Sequence, residues 1–117
     1  MTIHRLLAQM TVTDLDAATA WYTALLGRGP DTRPMRGLIE WHLSDTYGIQ
    51  VWAEPDRAGH STAVLYESDL DGRLTRLAHA GIRHDGPQTT DTSRVLTLTD
   101  PDGNRAVFVA PLTPGDH

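Results

Sequence analysis

The chain repeats itself at about half its length, and this constrains the fold more than any single residue does. Asp14-Leu15-Asp16 recurs as Asp69-Leu70-Asp71, 55 positions on, and the same offset carries Ala8 to Ala63 and Leu43-Ser44-Asp45 to Leu98-Thr99-Asp100. Gly27 is answered by Gly81, and Ala53-Glu54-Pro55 by Val109-Ala110-Pro111, at offsets within one residue of the first. Two copies of one supersecondary unit are implied, each too small to bury its own apolar face and therefore packed against a neighbour. Function is expected where the copies meet.

Within each copy the periodicity changes in the same order. Residues 3 to 12 are rich in Ile, Leu, Met and Val and end at Thr13-Asp14, which predicts a strand running into a helix cap. From Asp16 to Leu26, Ala17, Trp21 and Ala24, and likewise Ala18, Tyr22 and Leu25, fall at helical spacing, with Gly27 as the left-handed stop. After a connector over 28–37, strands are predicted at Leu38 to Leu43 and Ile49 to Ala53. The second copy predicts a strand from His60 to Tyr66, a helix from Asp71 to Ala80, and strands from Val95 to Thr99 and Arg105 to Val109. Asp100-Pro101-Asp102-Gly103-Asn104 is a turn signal, since Pro presets φ while Gly and Asn tolerate positive φ. A further short strand fits within 28–37 or 82–94.

Composition narrows the class. A chain of 117 residues with 39% hydrophobic content supports one core-bearing domain. We expect that domain over residues 1–113, with module one at about 3–55, module two at about 58–111, and 114–117 as a frayed tail. The net charge of −5, with no Lys/Arg cluster, argues against binding nucleic acid through phosphates. With no cysteine there is no disulfide, thiolate metal site or cysteine nucleophile. No apolar run reaches the roughly 20 residues of a membrane helix, and the first residues lack a signal-peptide core, so a cytoplasmic protein is expected.

These residues carry a resemblance. A strand ending Val12-Thr13-Asp14-Leu15-Asp16, an alanine-rich helix with Trp21-Tyr22 and then Leu26-Gly27, and a closing Asp-Pro-Asp-Gly-Asn before a strand are similar to the vicinal oxygen chelate superfamily. That superfamily includes glyoxalase I, extradiol dioxygenases, and the bleomycin-type and fosfomycin resistance proteins. The resemblance covers about residues 3 to 111 and implies an α+β fold of two tandem βαβββ modules whose mixed sheet curls around a cavity. It also implies a homodimer in which modules of both chains build each cavity.

Metal-dependent relatives carry a His on a module's first strand, seven positions before the Asp of the Asp-Leu pair. They carry a Glu four positions after the Gly of Asp-Gly-Asn. Here those positions hold Leu7, Thr62 and Val107, with Val51 as the first-copy partner when the Pro55 and Pro111 ends are aligned. Such side chains do not bind a divalent ion, which needs carboxylate or imidazole donors. No cofactor is therefore expected. The fallback is a divalent metal on Glu40, His42 and His60, of which Glu40 and His42 lie two apart on one strand face.

An apolar cavity with a few polar groups remains. By family geometry Leu7, Gln9 and Thr11, then Thr62, Val64 and Tyr66, then Arg105, Val107 and Val109 alternate on the inner face. His60 sits beside them, and Gln9, Thr62 and Arg105 are the candidate orienting groups. Trp41 and Trp52 flank the first-copy turn, where a role stacking on a planar ligand and a role in the core or an interface are both open. Trp21 and Tyr22 are expected in the core. No serine lies in a nucleophile elbow, and turn or cap chemistry accounts for Asp100, Asp102 and the helix-opening aspartates. The expected function is a non-catalytic protein that binds or sequesters a planar or lipophilic organic compound such as an antibiotic or a metabolite. The alternatives are a divergent glyoxalase-like lyase, isomerase or dioxygenase with a rearranged site, including a metal-free general base at Glu40 or His60, and a protein-interaction module.

Overall fold

Short polar residues and glycines set the ends of the helices. The computed structural model describes residues 2–112, so the expected frayed tail at 114–117 lies outside the described residues. The order is β1 (Leu6–Val12), α1 (Leu15–Leu26), β2 (Thr32–Met35), β3 (Leu38–His42), β4 (Tyr47–Ala53), β5 (Thr62–Tyr66), α2 (Leu70–Ala80), β6 (Gln88–Thr89), β7 (Ser93–Thr99) and β8 (Arg105–Pro111). A single 3₁₀ turn at Pro55–Arg57 joins the halves. The Asp14 carboxylate caps α1 by accepting from the N–H groups of Asp16 and Ala17, and Asp69 caps α2 through Gly72. Gly27 and Gly81 end the two helices at φ of 75° and 74°, the left-handed region that glycine enters without strain. Both segments that had room for an extra strand hold one, β2 and β6.

Each copy is thus a βαβββ module with its own four-stranded mixed sheet, in the order β1-β4-β3-β2 and β5-β8-β7-β6. The first and last strands of each module pair in parallel, as a helical crossover requires, and the other pairs are antiparallel. One face of each sheet is covered by its helix. There Met10, Val12, Ile39, Ile49 and Val51 pack with Tyr22 and Leu25 in the first module, and Leu96, Leu98 and Phe108 with Leu77 in the second. The molecule measures 47 × 39 × 24 Å, so it is about one sheet plus one helix layer thick, and the opposite faces of both sheets are left without a covering layer.

Strand pairing corrects the alignment of the two copies. Gln9 pairs with Gln50 in the first module, and Val64 pairs with Val107 in the second. Position 50 is therefore the counterpart of Val107. Val51, which the alignment of the Pro55 and Pro111 ends placed there, is fully buried under α1. A slip of one residue turns a strand side chain to the other face, so this correction changes what the open face presents.

The modules are joined by a buried polar clasp. Asn104 Nδ2 donates to the Thr11 carbonyl at 2.7 Å and to Asp100 Oδ2 at 2.8 Å, while Asn104 Oδ1 accepts from the Ser61 N–H at 2.8 Å. The Tyr22 hydroxyl, on α1, donates to Asp100 Oδ2 at 2.8 Å, and Asp100 Oδ1 accepts from the N–H groups of Asp102, Gly103 and Asn104. The turn that closes module two is thereby bonded to the helix and first strand of module one, a role beyond the turn chemistry expected for Asp100. Burial first, and the neighbouring Asp100 charge second, push the Tyr22 phenol above its ordinary range and keep it a donor. Gly59 passes so close that a Cβ there would come within 2.3 Å of the Asp102 carbonyl oxygen.

Candidate functional site

The candidate site is built on the uncovered sheet faces. On module one, Leu7, Gln9 and Thr11 of β1 stand beside Gly48, Gln50 and Trp52 of β4, which face His42, Glu40 and Leu38 of β3. On module two, Thr62, Val64 and Tyr66 of β5 stand beside Arg105, Val107 and Val109 of β8, with Thr99, Thr97 and Val95 of β7 beyond them. The strand alternation read for β1, β5 and β8 is the alternation observed, and it puts these residues on the face away from the helices. The two halves differ in character. Module two presents four valines and a tyrosine alongside three threonines and Arg105, whereas the centre of module one carries a glutamine pair, a glutamate and a histidine.

That polar centre is one continuous hydrogen-bonded relay. Gln9 Nε2 donates to Gln50 Oε1 at 2.6 Å, and Gln50 Nε2 donates to Glu40 Oε2 at 2.7 Å. Glu40 Oε1 accepts from His42 Nε2 at 2.9 Å and from the Thr32 hydroxyl at 3.2 Å. The His42 bond, opposed by desolvation and aided by Gln50 and Thr32, holds the Glu40 carboxyl below the usual carboxylate range. A carboxylate with a depressed pKa is a poor proton acceptor at neutral pH, so Glu40 is not poised as a general base.

The same shift makes a stability prediction. Because the folded state binds the Glu40 proton less tightly than the unfolded chain does, the contribution is complete above the unfolded value, about 4.3, and is lost as pH falls through the folded one. Urea unfolding between pH 6 and pH 3 is expected to show an acid limb that flattens in Glu40→Gln. An unchanged limb would mean that Glu40 ionises alike in both states.

The aromatic and histidine candidates separate. Trp41 is fully buried on the helix side, with its Nε1–H donating to the Arg28 carbonyl at 2.8 Å, and so it is a core residue, not a ligand contact. Its neighbours at positions 40 and 42 face the other way because side chains alternate along a strand. Trp52 is half-buried on the open face, between Thr11 and Leu38. His60 is exposed in the connection before β5, which begins at Thr62 and not at His60. No group of three His, Asp or Glu side chains among the described residues is placed to hold a metal, so the Glu40/His42/His60 cluster is not formed. Glu40 and His42 bond each other. The donor set at the family's metal positions, Leu7, Gln50, Thr62 and Val107, does not fit a divalent ion. Arg105 is exposed, and its side chain makes no ion pair among the described residues.

Between the modules, β1 and β5 approach at Thr11 and Ser61 and then diverge, leaving a groove of about 710 Å³. Leu7, Val64 and Tyr66 line it from the open faces and Leu6, Tyr47, Leu26 and Phe108 from the helix side, with the Arg73–Glu67 ion pair at 2.9 Å. Arg73 also donates to the Leu25 carbonyl at 2.9 Å, tying α2 to the end of α1. Sequence reasoning did not single out Gln50, the central member of the relay. Its signal was the pairing of polar residues at alternate positions of β3 and β4, legible only once the register is known.

Two βαβββ modules set side by side, with both helices on one side and open sheet faces on the other, define a protein of the vicinal oxygen chelate fold. A scan against family models finds no match, and neither does a comparison with curated proteins. Among solved structures, a glyoxalase/bleomycin resistance protein from Catenulispora acidiphila is 32% identical, with a TM-score of 0.86 over 91% of this chain and 96% of the other. TnmS3, an antibiotic binding protein from Streptomyces sp. CB03234, is 25% identical, with a TM-score of 0.78 over 96% and 99%. A bleomycin-binding protein in complex with bleomycin shares the fold at 21% identity, with a TM-score of 0.76 over 91% and 97%. The chain belongs to the glyoxalase/bleomycin resistance protein family. No helix among the described residues is long and apolar enough to cross a membrane.

Proposed function

We propose that this chain binds and sequesters a planar or lipophilic organic compound, such as an antibiotic or a metabolite, in the cytoplasm, as a homodimer and without a metal. The observation that carries this reading is the uncovered apolar face of module two. Val64 and Tyr66, 59% and 76% exposed on it, also line the groove between the modules, into which Leu6 and Tyr47, at 76% and 56%, project from the opposite face of their own sheet. Large apolar side chains gathered around one concavity mark a binding surface, whereas singly scattered ones do not. A second copy placing its polar module-one face over this apolar face would complete an enclosed cavity, with Trp52 as a stacking surface. The similarity to an antibiotic binding protein at 25% identity supports the ligand class. Binding is favoured over catalysis because Glu40 is held ionised and His60 stands apart from it.

The test is a thermal-shift screen of chelator-stripped protein against planar aromatic compounds, antibiotics and the ions Zn(II), Ni(II), Mn(II), Co(II) and Fe(II). A ligand at about a hundred times its Kd adds roughly 2.7 kcal/mol, or about 10 °C in a domain of this size. We expect such a shift from an organic compound, none from any metal, and a dimer by sedimentation. A metal shift that disappears in Glu40→Ala/His42→Ala would overturn the metal-free reading.

A further inference from the structure

The groove between the modules is walled by two strand edges that no other strand covers. On β1 alternate residues carry the ladder to β4: the Leu6 N–H donates to the Thr46 carbonyl and the Val12 carbonyl accepts from Glu54, each at 2.9 Å, so Leu7 and Thr11 turn their backbone groups the other way. The Thr11 carbonyl meets module two, accepting from the Gly59 N–H at 3.2 Å and from Asn104. On β5 the Ser61 carbonyl accepts from Arg105 at 2.9 Å and the Glu67 N–H donates to Val109 at 2.8 Å, so Val64 and Tyr66 likewise face away from β8. Where the strands part, the backbone N–H and C=O groups of Leu7, Val64 and Tyr66 have no hydrogen-bond partner among the described residues. The outer edges are different. β2 is four residues long and contains Pro34, and β6 is two residues long after Pro87, whereas β1 and β5 run for seven and five residues without a proline. Shortness and proline keep a sheet edge from pairing, and the inner edges have neither.

We propose that the groove takes a neutral, extended amino-acyl compound, a capped peptide or peptide-like amide with a large apolar side chain, by strand addition to β5. The ligand N–H donates to the Val64 carbonyl, and its C=O accepts from the Tyr66 N–H. Side chains of an added strand alternate, so one enters between the sheets toward Leu26 and Phe108 while the next stands beside Tyr66 on the open side. The charged lining residues, Arg73 and Glu67, neutralise each other at 2.9 Å, and Arg73 is further held by the Leu25 carbonyl and the Phe108 ring. An uncharged ligand matches that lining. The groove is about 710 Å³ and closed at its narrow end by the clasp, which suits a compound of a few residues and not a protein strand passing through. This inference rests on the small-molecule reading above and narrows its ligand class to lipophilic amides.

The experiment uses N-acetyl-Leu-Phe-Leu methylamide and its depsipeptide counterpart, in which ester oxygens replace the backbone N–H groups and the side chains are unchanged. Binding is read by amide NMR titration and hydrogen exchange. In the free protein the Leu7, Val64 and Tyr66 amides should exchange faster than those of Ala8, Ala63 and Leu65, which lie in the ladders. We expect the peptide to slow the Tyr66 amide and to bind about tenfold tighter than the ester, the ratio that one or two neutral hydrogen bonds supply. Tyr66→Pro deletes an N–H that no strand uses, so it should keep the fold and lose that preference, while Tyr66→Ala keeps it. If Tyr66→Pro misfolds, the comparison of peptide with ester on wild type decides. Equal binding of the two probes, or Tyr66 exchange unchanged by the peptide, would overturn the inference. So would a Tyr66 amide already protected in the free protein, and protection that grows with protein concentration would assign the edge to a second copy instead. If the peptide fails while an organic compound of the thermal-shift screen binds, this inference alone falls. If nothing binds, the small-molecule reading falls with it.

Discussion

Trp41→Ala is expected to destabilise the protein by about 4 kcal/mol, while Trp52→Ala leaves the fold nearly intact and weakens ligand binding. Trp41 is among the largest fully buried side chains, packed with Tyr22 at a ring separation of 6.0 Å and bonded to the Arg28 carbonyl. Truncation removes that burial and leaves a cavity that a close-packed core fills only in part, at a typical cost of about 3 to 5 kcal/mol for a Trp. At roughly 4 °C per kcal/mol, the melting midpoint should fall by about 15 °C. Trp52, half-buried on the open face, loses mainly contact area to the ligand and to Leu38. Thermal melts and probe titrations on both variants check this. A mild Trp41→Ala or a crippling Trp52→Ala would reverse the assignment of the two indoles.

Asn104→Ala is expected to cost about 3 kcal/mol or more, far beyond what a turn substitution at the surface costs. The change strands the Ser61 N–H, removes a partner of the Thr11 carbonyl and takes one donor from Asp100, all within the buried seam between modules. A buried polar group that loses its partner typically costs about 1 to 3 kcal/mol. Asp102→Ala is the control. Among the described residues the Asp102 carboxylate accepts from the exposed Thr13 N–H alone, at 3.1 Å, and its loss should stay at about 1 kcal/mol. Denaturant unfolding of the two variants distinguishes a clasp from a turn, since a clasp makes their costs unequal and turn chemistry alone makes them similar. Asn104→Ala should also loosen the modules before either melts, which hydrogen exchange at Thr11 and Ser61 would report.

The two-module fold was legible because its signals are local and repeated. Asp14 and Asp69 cap helices, Gly27 and Gly81 end them, and alternation over 62–66 and 105–109 separates a buried face from an open one, all from interactions within a few residues. The same local rules put Leu7, Gln9, Thr62, Val64, Arg105 and Val107 on the open face. Locality also explains the misses. Trp41 and Trp52 both lie in strands beside the same turn, and only pairing shows that one points under the helix and the other away from it. His60 fell just outside a strand whose start depends on its bond partners. The Glu40/His42/His60 cluster required a convergence that spacing along the chain does not specify.

By itself, then, the sequence determined the repeat, the element order, the helix ends and the poverty of metal ligands at the family's usual positions, because each rests on neighbours or on residue chemistry. Tertiary structure alone decided that position 50, not 51, answers Val107, that Tyr22, Asp100 and Asn104 lock the modules together, and that Gln9, Gln50 and Glu40 form one oriented relay. Those outcomes depend on strand register and on contacts between residues tens of positions apart, where one residue of slip exchanges the buried face for the open one.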